Sequence, residues 1–228
     1  MARRRHHARC TRCKTLVPIA NALPFPRGGR LPFHCNAHQD EILSEKTLRR
    51  STHAAHTIRF KTFIPARLEP RTQVLLRHLM HSTPAKSDGP GYIYALELQD
   101  DAHPDLVHIK VGRTNDIARR LSEHRRRCPS LEPFLLGHYP AKARLRARSL
   151  VPYCDLLERL VHLELTDLAV KSHPAGKTTP HARCVDCGSR HIEIFTFRRL
   201  QGHSCGREWS LIIQPILERW GRFVSKHV

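Results

Sequence analysis

Two groups of cysteine and histidine carry the most specific chemistry in the sequence. Cys10-Thr11-Arg12-Cys13 is followed, after a Pro- and Gly-rich stretch, by Cys35-Asn36-Ala37-His38. Each pair spans a tight turn and can put both side chains on one ion, and two such pairs bracketing a loop are what tetrahedral zinc requires. His34 competes for a place in that set. A second pair, Cys184-Val185-Asp186-Cys187-Gly188, has His191 four residues on as a natural third ligand. Its fourth ligand stays open between Cys128, Cys205 and His203. A third constellation is helical: Arg120 and His124 are four apart, so one helix face presents both to a single phosphate.

These residues need elements to hold them. Tyr92 to Leu98 alternates with period two and reads as a strand. After a turn at Asp100, Asp101, Pro104 and Asp105, a second strand faces Val107, Ile109 and Val111 one way and His108 and Lys110 the other. Gly112 is expected to end it. Thr114, Asn115 or Asp116 then caps a helix carrying Ile117 and Leu121 and closing on Arg125-Arg126-Arg127, before Cys128-Pro129 stops it. Pro133 to Pro140 reads as a third strand, and Lys142, Arg144, Arg146 and Arg148 form an alternating basic segment. Tyr153 to Lys171 is the strongest helix, with Leu156, Leu157, Leu160 and Val161 on its buried face. Ile192, Ile194 and Phe195 return as an edge strand. A last helix, Trp209 to Val228, starts or kinks at Pro215. Upstream, Asp40 to Arg50 reads as a short helix, Thr57 to Ile64 as extended chain, and the residues after Pro70 as an amphipathic helix.

Composition points to the partner. The 228 residues hold 39 Lys and Arg against 20 acids, a formal charge of +19, with no Asp or Glu in residues 1 to 39. Neutralising phosphates with counterion release rewards such a balance, so nucleic acid is the first partner to consider. No apolar run approaches the roughly 20 residues of a membrane span, and Met1 to His7 is not followed by the apolar core of a secretory signal. Of the eight cysteines, four form two Cys-x-x-Cys pairs near histidines, which in a chain without a secretion signal favours metal over disulfides. The expected location is intracellular and nuclear. The arginine-rich, acid-free start keeps the mitochondrion as the alternative.

The central stretch resembles the GIY-YIG nuclease superfamily. Tyr92-Ile93-Tyr94 stands at its first tripeptide, Lys110-Val111-Gly112 at its second, and Arg120 followed by His124 at its helix signature. The form GYIY…IKVGRT…RRL…H is similar to the branch of phage DNA-binding open reading frames and fungal meiotically upregulated genes, most clearly over residues 89 to 166. The resemblance implies that Glu158 holds Mg²⁺ or Mn²⁺, with Glu164 as alternate. It implies that Arg120 neutralises the scissile phosphate, and that Tyr94 with His124 moves a proton or orients water, with Tyr92 supporting. Lys110 departs from the second tyrosine of many cutting members; it binds phosphate as a point charge but is a poor base at neutral pH. The pattern Cys-x-x-Cys-Gly…His-x-Glu-x-Phe also resembles a zinc insert of fungal members, which tend to place a Cys after the basic helix and so favour Cys128.

The sequence therefore predicts an α/β (α+β) fold: a small three-stranded antiparallel sheet flanked by helices, with zinc-knuckle elements. A basic zinc-knuckle segment (1–40) and a connector (41–88) precede a GIY-YIG-like domain (89–226) whose zinc insert lies around 184–205. Expected cofactors are structural zinc at two sites and, in an active enzyme, Mg or Mn; no small-molecule cofactor and no membrane are expected. Arg113, Arg119, Arg125, Arg126 and Arg127 are the expected DNA contacts. Two functions stand side by side, a DNA endonuclease and a DNA-binding module of the same fold that does not cut, with a zinc-knuckle protein adaptor behind them.

Overall fold

The computed structural model describes residues 6–19, 31–50, 56–141, 150–169, 183–191 and 193–228. The expected basic segment at Lys142, Arg144, Arg146 and Arg148, the strand position Ile192 and the helix end at Lys171 lie outside the described residues. The chain divides into two compact units, Met1–Ser82 and Thr83–Val228.

In the first unit, β1 (His6–Arg9) pairs antiparallel with β2 (Leu16–Ile19), and Arg9 sits opposite Leu16. Cys10 and Cys13 lie in the turn between them, where Lys14 takes a left-handed conformation (φ 63°) that lets its N–H return to the Cys10 carbonyl at 2.9 Å. Helix α1 (Asn36–Ser44) begins immediately after Cys35, so His38 occupies its first turn. The helix expected over Asp40 to Arg50 is thus shifted and shortened. Thr47–Arg50 is instead β3, paired with β4 (His56–Arg59). The extended reading of Thr57 to Ile64 holds only to Arg59, because Phe60–Thr62 is a 3₁₀ turn that buries Phe60. Helix α2 (Pro70–His81) starts on Pro70, where a missing N–H costs nothing, and buries Val74, Leu75, Leu76, Leu79 and Met80. The Arg77 guanidinium stacks 4.5 Å from the Phe60 ring and donates to the Ile42 carbonyl and, at 2.7 Å, to that of Glu45, satisfying the open end of α1.

The second unit is built on one antiparallel sheet. Its strands are β5 (Tyr92–Leu98), β6 (Leu106–Thr114), β7 (Phe134–Tyr139) and β8 (Ile194–Arg198), ordered β7-β5-β6-β8. The sheet thus has four strands rather than three, since the edge segment expected after the zinc insert pairs fully with β6. Gly112 does not end β6, which runs two residues further. Gly112 faces Tyr94 across the ladder, and a Cβ there would lie 2.8 Å from the Tyr94 hydroxyl.

Helix α3 (Ile117–Arg127) is capped by Asp116, whose carboxylate accepts from the Arg119 N–H at 2.9 Å. Through Leu121 it covers the sheet face that carries Tyr94, Leu96 and Leu98. Helix α4 (Cys154–Leu168) meets the opposite face: His162 donates to the Val111 carbonyl at 3.0 Å, and its ring lies 5.2 Å from that of Phe195. The first N–H groups of α4 are capped by Asp88, which accepts from Asp155 at 2.8 Å and Leu156 at 3.0 Å. A π turn (Trp209–Ile213) runs without a break into α5 (Gln214–His227), and Pro215 falls just after the change of winding, in the first turn of α5. Trp220 is fully buried, and the Trp209 ring fills the space over Gly137.

Candidate functional site

Both cysteine–histidine groups gather into four-donor clusters that could hold a metal ion. Cys10, Cys13, Cys35 and His38 form one; Cys128, Cys184, Cys187 and His191 form the other; within each, the four donor atoms lie within 4.8 Å of one another. A zinc ion at about 2.3 Å from sulfur and about 2.0 Å from nitrogen sets tetrahedral edges near ~3.8 Å for S–S and ~3.6 Å for S–N. The Cys13–Cys35 sulfurs are 3.8 Å apart and Cys10 Sγ is 3.6 Å from His38 Nδ1. In the second set His191 Nε2 lies 3.4 Å from Cys128 Sγ and 3.5 Å from Cys187 Sγ. These spacings are close to those of one zinc each, while Cys35 Sγ and His38 Nδ1, at 3.1 Å, stand nearer than a bound zinc would hold them. The Cys10 thiol is held low: burial pushes it up, but N–H groups of Cys13, Cys35 and Arg12 outweigh that. The thiolate is the form that binds metal; Cys187 is likewise lowered, to about 7, whereas Cys35 is raised and burial pushes Cys128 up to about 12.

Cys128 completes the second set, and neither Cys205 nor His203 takes part. His34 stays outside the first. All eight cysteines are free thiols, as metal binding requires. The second set also joins two elements. Cys128 is the residue on which α3 ends, while Cys184, Cys187 and His191 belong to the insert that leads into β8. Metal there ties the C-terminal end of α3 to the sheet edge.

One turn back along α3, His124 reaches the sheet. The Tyr94 hydroxyl lies 2.8 Å from His124 Nε2, and Arg120 Nε donates to the same hydroxyl at 3.2 Å. Burial, with the cations of Lys110 and Arg120 beside it, drives His124 down to about 4, so its imidazole is neutral near pH 7. Burial raises the Tyr94 phenol, against the pull of Arg120, and the Glu193 and Glu158 carboxylates raise it further. Arg120, an obligate donor, donates to the Tyr94 oxygen, and with the His124 proton on Nδ1 the phenol donates in turn to His124 Nε2. Tyr94 is only 2% exposed, yet both expected partners reach its hydroxyl.

The remaining expected residues fall differently. Glu158, also 2% exposed, approaches from α4 and pairs with Arg113, whose Nε is 3.2 Å from Glu158 Oε2. The same guanidinium reaches Asp155 at 3.3 Å. The alternate carboxylate Glu164 is fully buried, bonded to Arg219 and at 2.8 Å to the Trp220 indole N–H, which gives it a packing role. Tyr92 shares the Tyr94 face, and its ring meets edge-on at 5.6 Å that of His138, the residue paired with Tyr94 on β7. Lys110 forms a buried ion pair with Glu193 at 3.0 Å. Lys110, His124, Cys128 and His191 nonetheless line one small pocket with Leu98 and Pro133, so the metal set forms a wall of the space beside the relay. Arg125, Arg126 and Arg127 are exposed at the end of α3, and Arg127 donates to Ser189 at 3.3 Å. Arg119 pairs with Glu123 and with Asn115 at 3.2 Å.

Glu193 is the residue that sequence reasoning passed over. Its signal was present: in His191-x-Glu193-x-Phe195, alternate positions hold a zinc ligand, the partner of Lys110 and a core ring.

Residues 106–223 match the family model described as meiotically up-regulated gene 113. The match covers slightly more than half of the chain. The chain belongs to the meiotically up-regulated gene 113 family. The family region runs from β6 into α5 and contains Arg113, Arg120, His124, Glu158 and the whole second metal set; Tyr92, Tyr94 and the first unit lie before it. No curated protein and no solved structure matches the chain. Among the described residues, no helix is long and apolar enough to cross a membrane.

Proposed function

We propose that this protein binds DNA and that its second unit is a GIY-YIG-like, divalent-metal-dependent endonuclease. The observation that carries the reading is the relay from Arg120 through the Tyr94 hydroxyl to His124. The charge of +19 supports DNA as the partner, since each phosphate neutralised releases counterions, and it fits a nuclear setting.

Phosphodiester hydrolysis needs an activated water, stabilised charge on the phosphoryl oxygens and a stabilised leaving oxygen. Arg120, planar and always charged, faces phosphate as a fixed cation. The neutral His124 imidazole accepts the proton that Tyr94 hands on when water is deprotonated at the phenol oxygen. Glu158 fits as the protein ligand of Mg²⁺ or Mn²⁺, because such ions are held by one or two carboxylates with substrate phosphate and water completing the shell. A bound divalent ion supplies Lewis acidity toward the phosphoryl oxygens and a more acidic water. The arginines closing α3 add phosphate contacts.

A second reading is a DNA-binding module that does not cut. Two pairings favour it: Lys110 is occupied by Glu193, and Glu158 by Arg113. Supercoiled plasmid with Mn²⁺ separates the two. Nicking by the wild type that Glu158→Ala abolishes supports the nuclease. Tight, salt-sensitive binding without nicking supports the module.

A further inference from the structure

Arg113 stands where a cation must stand. Its guanidinium bridges Glu158 Oε2 at 3.2 Å and Asp155 Oδ1 at 3.3 Å, two carboxylates three residues apart on α4. The Glu158 side chain is 3% exposed, a burial that a carboxylate tolerates only with a cation or strong donors beside it. The Arg113 side chain is 36% exposed, so the cation balancing a buried carboxylate is itself reachable from solvent. It follows Gly112, which lies under the Tyr94 hydroxyl, and so turns to the other face of the sheet, where α4 presents Glu158 and Asp155.

We infer that Arg113 is a substrate-released counter-cation: it holds Glu158 while DNA is absent and transfers to a DNA phosphate when DNA binds, opening Glu158 to the divalent ion. The inference rests on the proposed metal role of Glu158. A guanidinium and a divalent cation compete for the same carboxylate oxygen, and adding one positive charge beside another is costly. A phosphate offers Arg113 an equivalent bidentate partner. DNA and metal then bind cooperatively, because each displaces Arg113 from the other's obstacle, and the coupling is reciprocal. Arg113 is a positioning residue in this scheme. Asp155 keeps it within reach of Glu158, and the wet side of its guanidinium is where phosphate arrives.

The test measures Mn²⁺ affinity by electron paramagnetic resonance on the full zinc-loaded chain, with and without a phosphorothioate duplex that resists cleavage. Wild type is expected to bind Mn²⁺ about tenfold more tightly with the duplex present. Arg113→Gln is expected to bind it about tenfold more tightly than wild type without DNA, to lose that gain when Glu158→Gln is added, and to show a smaller response to the duplex. Unchanged or weaker Mn²⁺ affinity in Arg113→Gln without DNA overturns the inference. For a variant that fails to fold, the wild type answers alone: the Arg113 Nε–H resonance should move when duplex is added without metal, and a fixed resonance while DNA binds overturns the inference equally. If wild type with duplex binds Mn²⁺ no better than Glu158→Gln, the metal role of Glu158 itself fails. If it binds better and Arg113→Gln changes nothing, only the counter-cation role fails.

Discussion

At the scale of single residues, the Tyr94 hydroxyl has two neighbours with distinct demands. Arg120 needs an acceptor, a neutral His124 with its proton on Nδ1 needs a donor at Nε2, and one phenol meets both. Tyr94→Phe keeps the ring in the core and removes both bonds. Nicking is expected to fall by about 10²-fold, the scale of a lost proton-transfer group, with DNA affinity nearly unchanged in a filter-binding assay. Gly112 sits under the same hydroxyl. In Gly112→Ala the new methyl meets an oxygen held by two partners, at 2.8 Å. Tyr94 must shift, so the variant should lose activity together with about 1–3 kcal/mol of stability in denaturant unfolding. Equal activity in Gly112→Ala and wild type would show that the phenol position is not critical.

At the scale of elements, α3 depends on what fixes its two ends. Asp116 caps the first, and Cys128 with its metal set anchors the last, one turn beyond His124. Cys128→Ser should lower zinc content, measured by mass spectrometry, from about two ions per chain to about one, and should lower nicking although Glu158 is untouched. Retention of two zincs would exclude Cys128 as a ligand. These contacts were unevenly legible in the sequence. Cys-x-x-Cys is local, so spacing alone located it, and the α3 cap was narrowed to Thr114, Asn115 or Asp116 before the structure gave it to Asp116. The fourth strand and the continuation of β6 past Gly112 depend on which strand pairs with which, and Gly112 looks like a strand end until the Tyr94 ring is seen filling its place.

At the scale of the whole molecule, the proposed DNA partner rests on charge. With +19 over 228 residues, DNA affinity should fall steeply and linearly on a log–log plot against salt. Affinity measured on one duplex between about 50 and 200 mM salt checks it, and a flat plot removes phosphate neutralisation as the driving term. The basic run at Arg125 to Arg127 belongs here too, because exposed cations at a helix end act on a polyanion mainly as part of the total field.

Taken alone, the sequence settled the two Cys-x-x-Cys pairs with their nearby histidines, most helices and strands of the second unit, the Arg120–His124 helix face and the basic balance, because ligand spacing, hydrophobic period and charge are properties of neighbours along the chain. Only the tertiary structure decided that Cys128 closes the second metal set, that Lys110 goes to Glu193, that Glu158 is held by Arg113 while Glu164 is held by Arg219, and that the Tyr92 ring goes to His138. Those partners lie tens of residues apart. Their meeting depends on strand register and on the sheet face each helix covers, which local spacing does not encode.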